Sequence, residues 1–316
     1  MINFPLWPQQ ASTMATRVDI FFIYLLLLSG AIATVVVLLM IFFSVKYRRG
    51  SRADRTNPPH GNLLIEWTWI IVPLGLALAT FVGGAVLYIQ MARPPGGATE
   101  IQVVGKQWMW KTQHPNGQRE INQLHVPAGR PIKLTMASED VIHDFYIPAF
   151  RIHQDVLPGR YTSMWFTPTK VGEYHLFCSQ YCGTQHAEMI GSVIVMDPAD
   201  YERWLAGGSQ QQGLAQQGAA LFRQYGCSGC HGTNATVHAP KLEGVYGSPV
   251  PLQDGRVVIA DDQYIRDSIL LPRRDIAAGY APIMPSFQGQ ISEEDLLKLI
   301  TYIKSIGNAE RTGSQP

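Results

Sequence analysis

Cys178-Ser-Gln-Tyr-Cys182-Gly-Thr-Gln-His186-Ala-Glu-Met189 gathers two thiols, an imidazole and a thioether within twelve residues. Thiolate and thioether are soft ligands that select copper, and imidazole is acceptable to it. A mononuclear blue-copper site takes one Cys, two His and a weak Met. Here a second Cys stands four residues further on. Two thiolates at that spacing can both bridge a pair of metal ions, and each ion then needs one His. His186 is one; the other must come from elsewhere. His143, in Ser138-Glu-Asp-Val-Ile-His143-Asp-Phe145, is the best candidate, at the end of an expected strand. Two Cys and two His also fit zinc, which leaves Met189 without a purpose. A Cys-x-x-x-Cys copper chaperone carries its His after the cysteines, whereas here the distant His precedes them. No motif selects His114, His125, His153 or His175, which are expected at the surface or in the core.

The residues around this segment read as β structure. Glu100–Val104, Ile132–Met136, Thr162–Phe166, Gly172–Phe177 and Ser192–Met196 are short alternating stretches separated by Gly and Pro turns. Strands at such spacing predict an all-β sandwich or barrel. It begins after Pro94-Pro-Gly-Gly97 and covers residues 98–206.

Residues 207–213, Gly-Gly-Ser-Gln-Gln-Gln-Gly, are a linker by composition. Beyond them Cys227-Ser-Gly-Cys230-His231 is the signature of covalent c-type haem attachment. The thiols add to the haem vinyl groups, and His231 is the proximal iron ligand. Met284 is the only Met after that motif. His238, the other candidate, lies seven residues from His231, where the chain is occupied on the proximal side. Met284 is therefore the expected sixth ligand, and His/Met ligation raises the potential. A helix is expected over Leu214–Tyr225, before the motif. A second starts at Ser292-Glu-Glu-Asp295, a capping-box-like sequence, with Leu296, Leu299, Ile300 and Ile303 as its apolar stripe. This predicts an all-α domain over residues 214–308, followed by a tail, 309–316.

Toward the N-terminus, Ile20–Val45 and Trp67–Tyr88 are uncharged apolar runs, each long enough to cross a bilayer, which takes roughly 20 residues. They form a hairpin over residues 19–92, preceded by an exterior segment, 1–18. The connecting loop, about 46–66, holds Lys46, Arg48, Arg49, Arg52 and Arg55, and Asn57-Pro58-Pro59 marks its bend. The flanks hold only Arg17 and Arg93. The excess of positive charge puts the loop in the cytoplasm and both termini, with both redox domains, outside. Lys plus Arg total 25 against 24 Asp plus Glu. That balance argues against nucleic acid as a partner.

These features together resemble subunit II of cytochrome c oxidase with a fused cytochrome c domain, the caa type. The likeness runs from about residue 15 to 308. Its dinuclear copper (CuA) pattern is Cys-x-x-x-Cys-x-x-x-His-x-x-Met with an upstream His, and every ligand position matches. Pro240-Lys-Leu242-Glu-Gly244 is similar to the segment after haem attachment in small cytochromes c. The resemblance implies a cupredoxin-like fold for the β domain, with Cys178 and Cys182 bridging two coppers. His143 and Met189 would complete one copper, and His186 with the Gln180 carbonyl the other. Many members carry Glu at the Gln180 position, where its carboxylate serves Mg²⁺; Gln180 puts that Mg²⁺ site in doubt. Gly105-Lys-Gln-Trp108-Met-Trp110 matches an aromatic segment that implies an electron-entry role for Trp108; the plain alternative is a strand packed on the core. Asp155-Val-Leu-Pro158-Gly-Arg160 matches a loop facing the core oxidase subunit. Glu66, three residues before Trp69, matches the mouth of a proton-uptake path; the plain alternative is an acid stabilised at a helix N-terminus.

The function so implied is electron entry into a proton-translocating respiratory oxidase of the bacterial cytoplasmic membrane. The donor would be a cytochrome c or a quinol-oxidising complex, and oxygen would be reduced in haem–copper subunit I. Two other readings remain: an electron-entry subunit of a nitric oxide reductase, and a membrane-tethered electron carrier or copper-handling protein.

Overall fold

The computed structural model describes residues 7–56, 61–207, 213–232, 235 and 237–308. The Asn57-Pro58-Pro59 bend, the 309–316 tail and most of the 207–213 linker lie outside them. Helix α1 (Thr13–Lys46) has 34 residues, about 51 Å at ~1.5 Å per residue, well beyond a ~30 Å hydrocarbon layer. The excess is its first turns, which begin before the apolar run and pack on the β domain. Ser12 caps them: its Oγ accepts from Ala15 N at 3.0 Å and donates to Phe150 O at 3.0 Å. Met14, Ala15 and Asp19 are buried there, and Arg151 reaches Asp19 at 2.8 Å.

Helix α2 (Leu63–Ala92) is capped by Asn62, whose side chain accepts from Leu64 N and Ile65 N. Tyr24 and Thr80 bond across the helix pair at 3.0 Å. Among the described residues, none in the apolar stretch of either helix is buried. A helix apolar all round belongs in a bilayer or a core, so the pair fits a two-pass membrane protein. Trp165 Nε1 donates to Gln90 O at 3.1 Å, joining the end of α2 to the β domain.

That domain is two facing five-stranded sheets. The first contains β1 (Thr99–Lys106), β2 (Met109–Gln113), β3 (Arg119–Ile121), β5 (Ile132–Ser138) and β8 (Thr162–Phe166) in the order β3-β2-β1-β5-β8. The second contains β4 (Gln123–Pro127), β6 (His143–Ile147), β7 (Ile152–Val156), β9 (Gly172–Cys178) and β10 (Ile190–Met196) in the order β4-β10-β9-β6-β7. β1–β5 and β4–β10 are parallel pairs. Ile101, Val103, Leu134, Phe145, Leu176 and Val193 fill the space between the sheets. All five expected strands are present, with five further ones: β2, β3, β4, β6 and β7. These carry charged or amide residues that hide the alternation, as in His143-Asp-Phe-Tyr-Ile147. His143 stands at the first residue of β6, in the second sheet.

α3 (Pro198–Gly207) ends the β domain. The C-terminal unit holds α4 (Leu214–Gln224), α5 (Ser228–His231), α6 (Asp262–Leu270) and α7 (Glu293–Asn308). α7 starts on Ser292, whose Oγ accepts from Asp295 N at 3.2 Å, and Leu296, Leu299, Ile300 and Ile303 are its buried stripe. α4 and α7 touch closely: a Cβ on Gly218 would stand 2.1 Å from Lys298 O. The unit is helical with one departure from the all-α expectation. β11 (Pro249–Pro251) and β12 (Val257–Ile259) pair as a small antiparallel ribbon.

Candidate metal centre and haem-attachment site

The donors of the first centre are assembled by strand pairing. β9 ends on Cys178, and β10 starts one residue after Met189. Cys178 N donates to Met189 O at 3.1 Å, closing the base of the loop that carries Gln180, Cys182 and His186. β6 lies beside β9, with Phe145 opposite Cys178, which brings in His143. The two Sγ atoms are 3.7 Å apart, too far for a disulfide at ~2.05 Å. His143 Nδ1 and the Gln180 carbonyl stand 3.9 and 3.3 Å from Cys178 Sγ. His186 Nδ1 and Met189 Sδ stand 3.4 and 3.8 Å from Cys182 Sγ. Ligands ~2.0–2.3 Å from a metal at tetrahedral angles lie roughly 3.3–3.8 Å apart, so these separations are those of donors sharing an ion. Soft sulfur with imidazole suits copper, and His143, Cys178, Cys182 and Met189 are buried.

Residues behind the donors set their orientation. Asp140 Oδ1 lies 2.8 Å from His143 Nε2. A carboxylate accepts, so Nε2 carries the proton and Nδ1 turns its lone pair toward the sulfurs. Gln107 N holds the other Asp140 oxygen at 2.7 Å. Gly105 leaves room for the imidazole, since a Cβ there would meet His143 Cδ2 at 3.0 Å. Trp110, fully buried, packs edge-on to the same ring at 5.8 Å. Burial opposes ionisation of both thiols. Against that, hydrogen bonding from His143 when its ring is doubly protonated, and from the Asp144 and Gln180 backbone, lowers the Cys178 pKa. Burial and the adjacent Cys178 push Cys182 up to about 12. The second thiolate thus needs a nearby cation, as a bound metal provides.

In the C-terminal unit, His231 Nδ1 lies 2.9 Å from Pro240 O. A carbonyl only accepts, so Nδ1 donates and Nε2 keeps the free lone pair that a haem iron takes. Cys227 and Met284 both pack against the apolar cluster of Phe222, Ile265, Ile269 and Leu299, while Cys230 is exposed. Donor chemistry and apolar cradle both fit a covalently held haem. His238 stacks on Tyr280 at 4.8 Å.

Residues 117–197 match the family model described as cytochrome c oxidase subunit II, periplasmic domain, and residues 215–307 match that for cytochrome c. The alternative cytochrome c oxidase subunit 2 of Bradyrhizobium diazoefficiens is 30% identical over 232 residues, 63% of this chain and 82% of that one. The chain belongs to the cytochrome c oxidase subunit II family. Subunit 2 of Alkalihalophilus pseudofirmus is 29% identical over 296 residues, 86% of this chain and 82% of its own. That of Thermostichus vulcanus is 31% identical over 254 residues, 63% of this chain and 77% of its own. With its cytochrome c domain, this subunit II is a respiratory electron-transport protein of a haem–copper oxidase complex, associated with other subunits such as subunit I. The two domains imply CuA copper and haem c.

Trp108 sits in the turn between β1 and β2, not in a strand, and is half-buried against the core. Its indole donates to Cys182 O at 3.3 Å, beside Gln107 Nε2 at 2.8 Å. Glu66 is exposed in the first turn of α2. Asp140, Gln107, Gly105 and Trp110 escaped the sequence reading as supports of the copper loop. The available clue was an acid three residues before His143.

Proposed function

We propose that this chain is the electron-entry subunit of a terminal oxidase, passing electrons from an external donor through haem c to the dinuclear copper centre and on to the subunit that reduces oxygen to water. The observation that carries the reading is the convergence of His143, Cys178, Gln180, Cys182, His186 and Met189 at sulfur-to-donor separations of 3.3–3.9 Å. When bound, copper and haem supply reversible one-electron chemistry. Cys227 and Cys230 would anchor the haem, and His231 and Met284 would ligate its iron. Asp140 holds the His143 tautomer, and Gln107 and Trp108 tie the β1–β2 turn to the Cys182 carbonyl. A conjugated ring bonded to a ligand's own backbone supports an electron-entry role for Trp108. Glu66 is assigned to proton uptake in a proton-translocating complex. The hairpin is assigned to the bacterial cytoplasmic membrane, with its basic loop inside and both redox domains outside.

Purification in mild detergent from native membranes tests the reading. The expected result is a polytopic partner with a-type haem absorption. A partner carrying non-haem iron would favour the nitric oxide reductase, and a stable partnerless chain would favour a tethered carrier.

A further inference from the structure

The Gly- and Gln-rich connection invites the picture of a cytochrome domain swinging on a tether, but the contacts between the domains describe a built interface. Tyr161, which follows the Pro158-Gly-Arg160 loop of the β domain, packs with the apolar cluster of the cytochrome domain. Its amide donates to Gln263 Oε1 at 3.0 Å. Arg266 of α6, itself buried, lies over the ring at 5.8 Å and donates to Gly159 O at 2.9 Å. Buried Gln102 of β1 donates to Leu297 O at 3.2 Å and to Thr301 Oγ1 at 2.9 Å, both on α7. Three ion pairs line the rim: Lys111 to Glu294 at 2.9 Å, Arg119 to Glu294 at 3.9 Å and Lys304 to Glu100 at 3.5 Å. An aromatic anchor within a polar rim is the anatomy of a specific interface.

Two further observations point the same way. Both flanks of the connection are tied to one turn: Asn116 Nδ2 donates to Leu205 O at 3.0 Å, and Leu214 N donates to Pro115 O at 3.2 Å. Lys111 also bonds Glu139 at 3.2 Å, the neighbour of the Asp140 that orients His143. The rim is thus continuous with the support of the copper loop.

We propose that Tyr161, closed over by Arg266, is a positioning residue that docks the cytochrome domain on the copper domain as one fixed unit, so that electrons cross without a domain excursion. The docking stands on the contacts alone; the electron crossing rests on the proposed function. The Tyr161 hydroxyl is buried with no hydrogen-bond partner among the described residues. Docking by the ring therefore predicts that Tyr161→Phe keeps the interface and Tyr161→Ala loses it.

The test treats the intact, cofactor-loaded chain in detergent with a zero-length carbodiimide, which joins a lysine to a carboxylate only in direct contact, and maps the linked peptides. Lys111–Glu294 and Lys304–Glu100 links are expected in the parent and in Tyr161→Phe. Their yield falls roughly tenfold in Tyr161→Ala, as for loss of an interface anchor. A variant with about ten Gly/Ser residues added between 208 and 212 covers a misfolded alanine variant. Docking predicts unchanged links and an unchanged haem-to-copper transfer rate, whereas a free tether predicts a fall in both with length. Absent links in the parent, or yields that fall with connection length, overturn the docking. Intact links with no haem-to-copper transfer would leave the docking standing and overturn the proposed electron path.

Discussion

Around Cys178 and Cys182 four donors, His143, Cys178, Cys182 and Met189, are buried, and the site is braced from behind by Asp140 and Gln107, whose hydrogen bonds are 2.7–2.8 Å long. Around Cys227 and Cys230 the attachment residues lie on one short helix, partly or fully exposed. There Met284 and a set of tyrosines, themselves partly buried, pack against a buried apolar cluster. The first site is preorganised by pairing distant segments of a β domain. The second gathers its attachment residues at one short helix beside a small helical core. One chain thus holds its redox centres in two ways, and the difference teaches where each is vulnerable: copper through the loop's supports, haem through the attachment chemistry.

The largest effect is expected from serine at each thiol pair. Cys182→Ser would remove one of the two thiolates proposed to hold the copper pair, so copper content should fall to near zero by metal analysis while covalent haem remains. Cys230→Ser should leave haem held by the single Cys227 link. Two coppers retained in the first variant would break the comparison.

Asp140→Asn sharpens it. The loss of the carboxylate that orients His143 should weaken copper binding about 10–100-fold, the usual size for a ligand's hydrogen-bond partner, in competition with a chelator. The haem spectrum should not change.

The smallest effect on either site is expected at Glu120, which accepts from His114 at 2.7 Å and from His125. Burial works against its charge, but the two histidines lower its pKa to about 2 from the ordinary 4.5. A depressed carboxylate stabilises the fold above its unfolded value, and that contribution is lost as pH falls from 4.5 toward 2. Glu120→Gln should flatten the thermal midpoint's pH dependence in that window. At neutral pH it should cost about 1.5–3 kcal/mol, with copper and haem content unchanged.

Much of this was legible in the sequence because thiols are few and their spacing is chemical. The Cys178–Met189 loop, the Cys227–His231 motif and the two apolar runs announce themselves without any knowledge of the fold. The supports of the copper loop do not. Gln107 meets the Cys182 carbonyl and Gly105 faces His143 only because β1, β2 and the copper loop converge, and such contacts span 75 residues in one case. His143 stands at the end of a strand, β6, but the Glu139–Ile142 connection that carries the chain from the first sheet to the second has no periodic pattern to mark it. Gly159 and Tyr161 contact Gln263 and Arg266 of the cytochrome domain. Docking within a chain leaves no periodic pattern to read.

The central claim is tested most directly by the metal and haem content per chain, with the visible and near-infrared spectrum of the purified protein. Two coppers and one covalent haem c per chain are expected, with the absorption of a thiolate-bridged copper pair. Zinc in place of copper, or a single copper per chain, would contradict it.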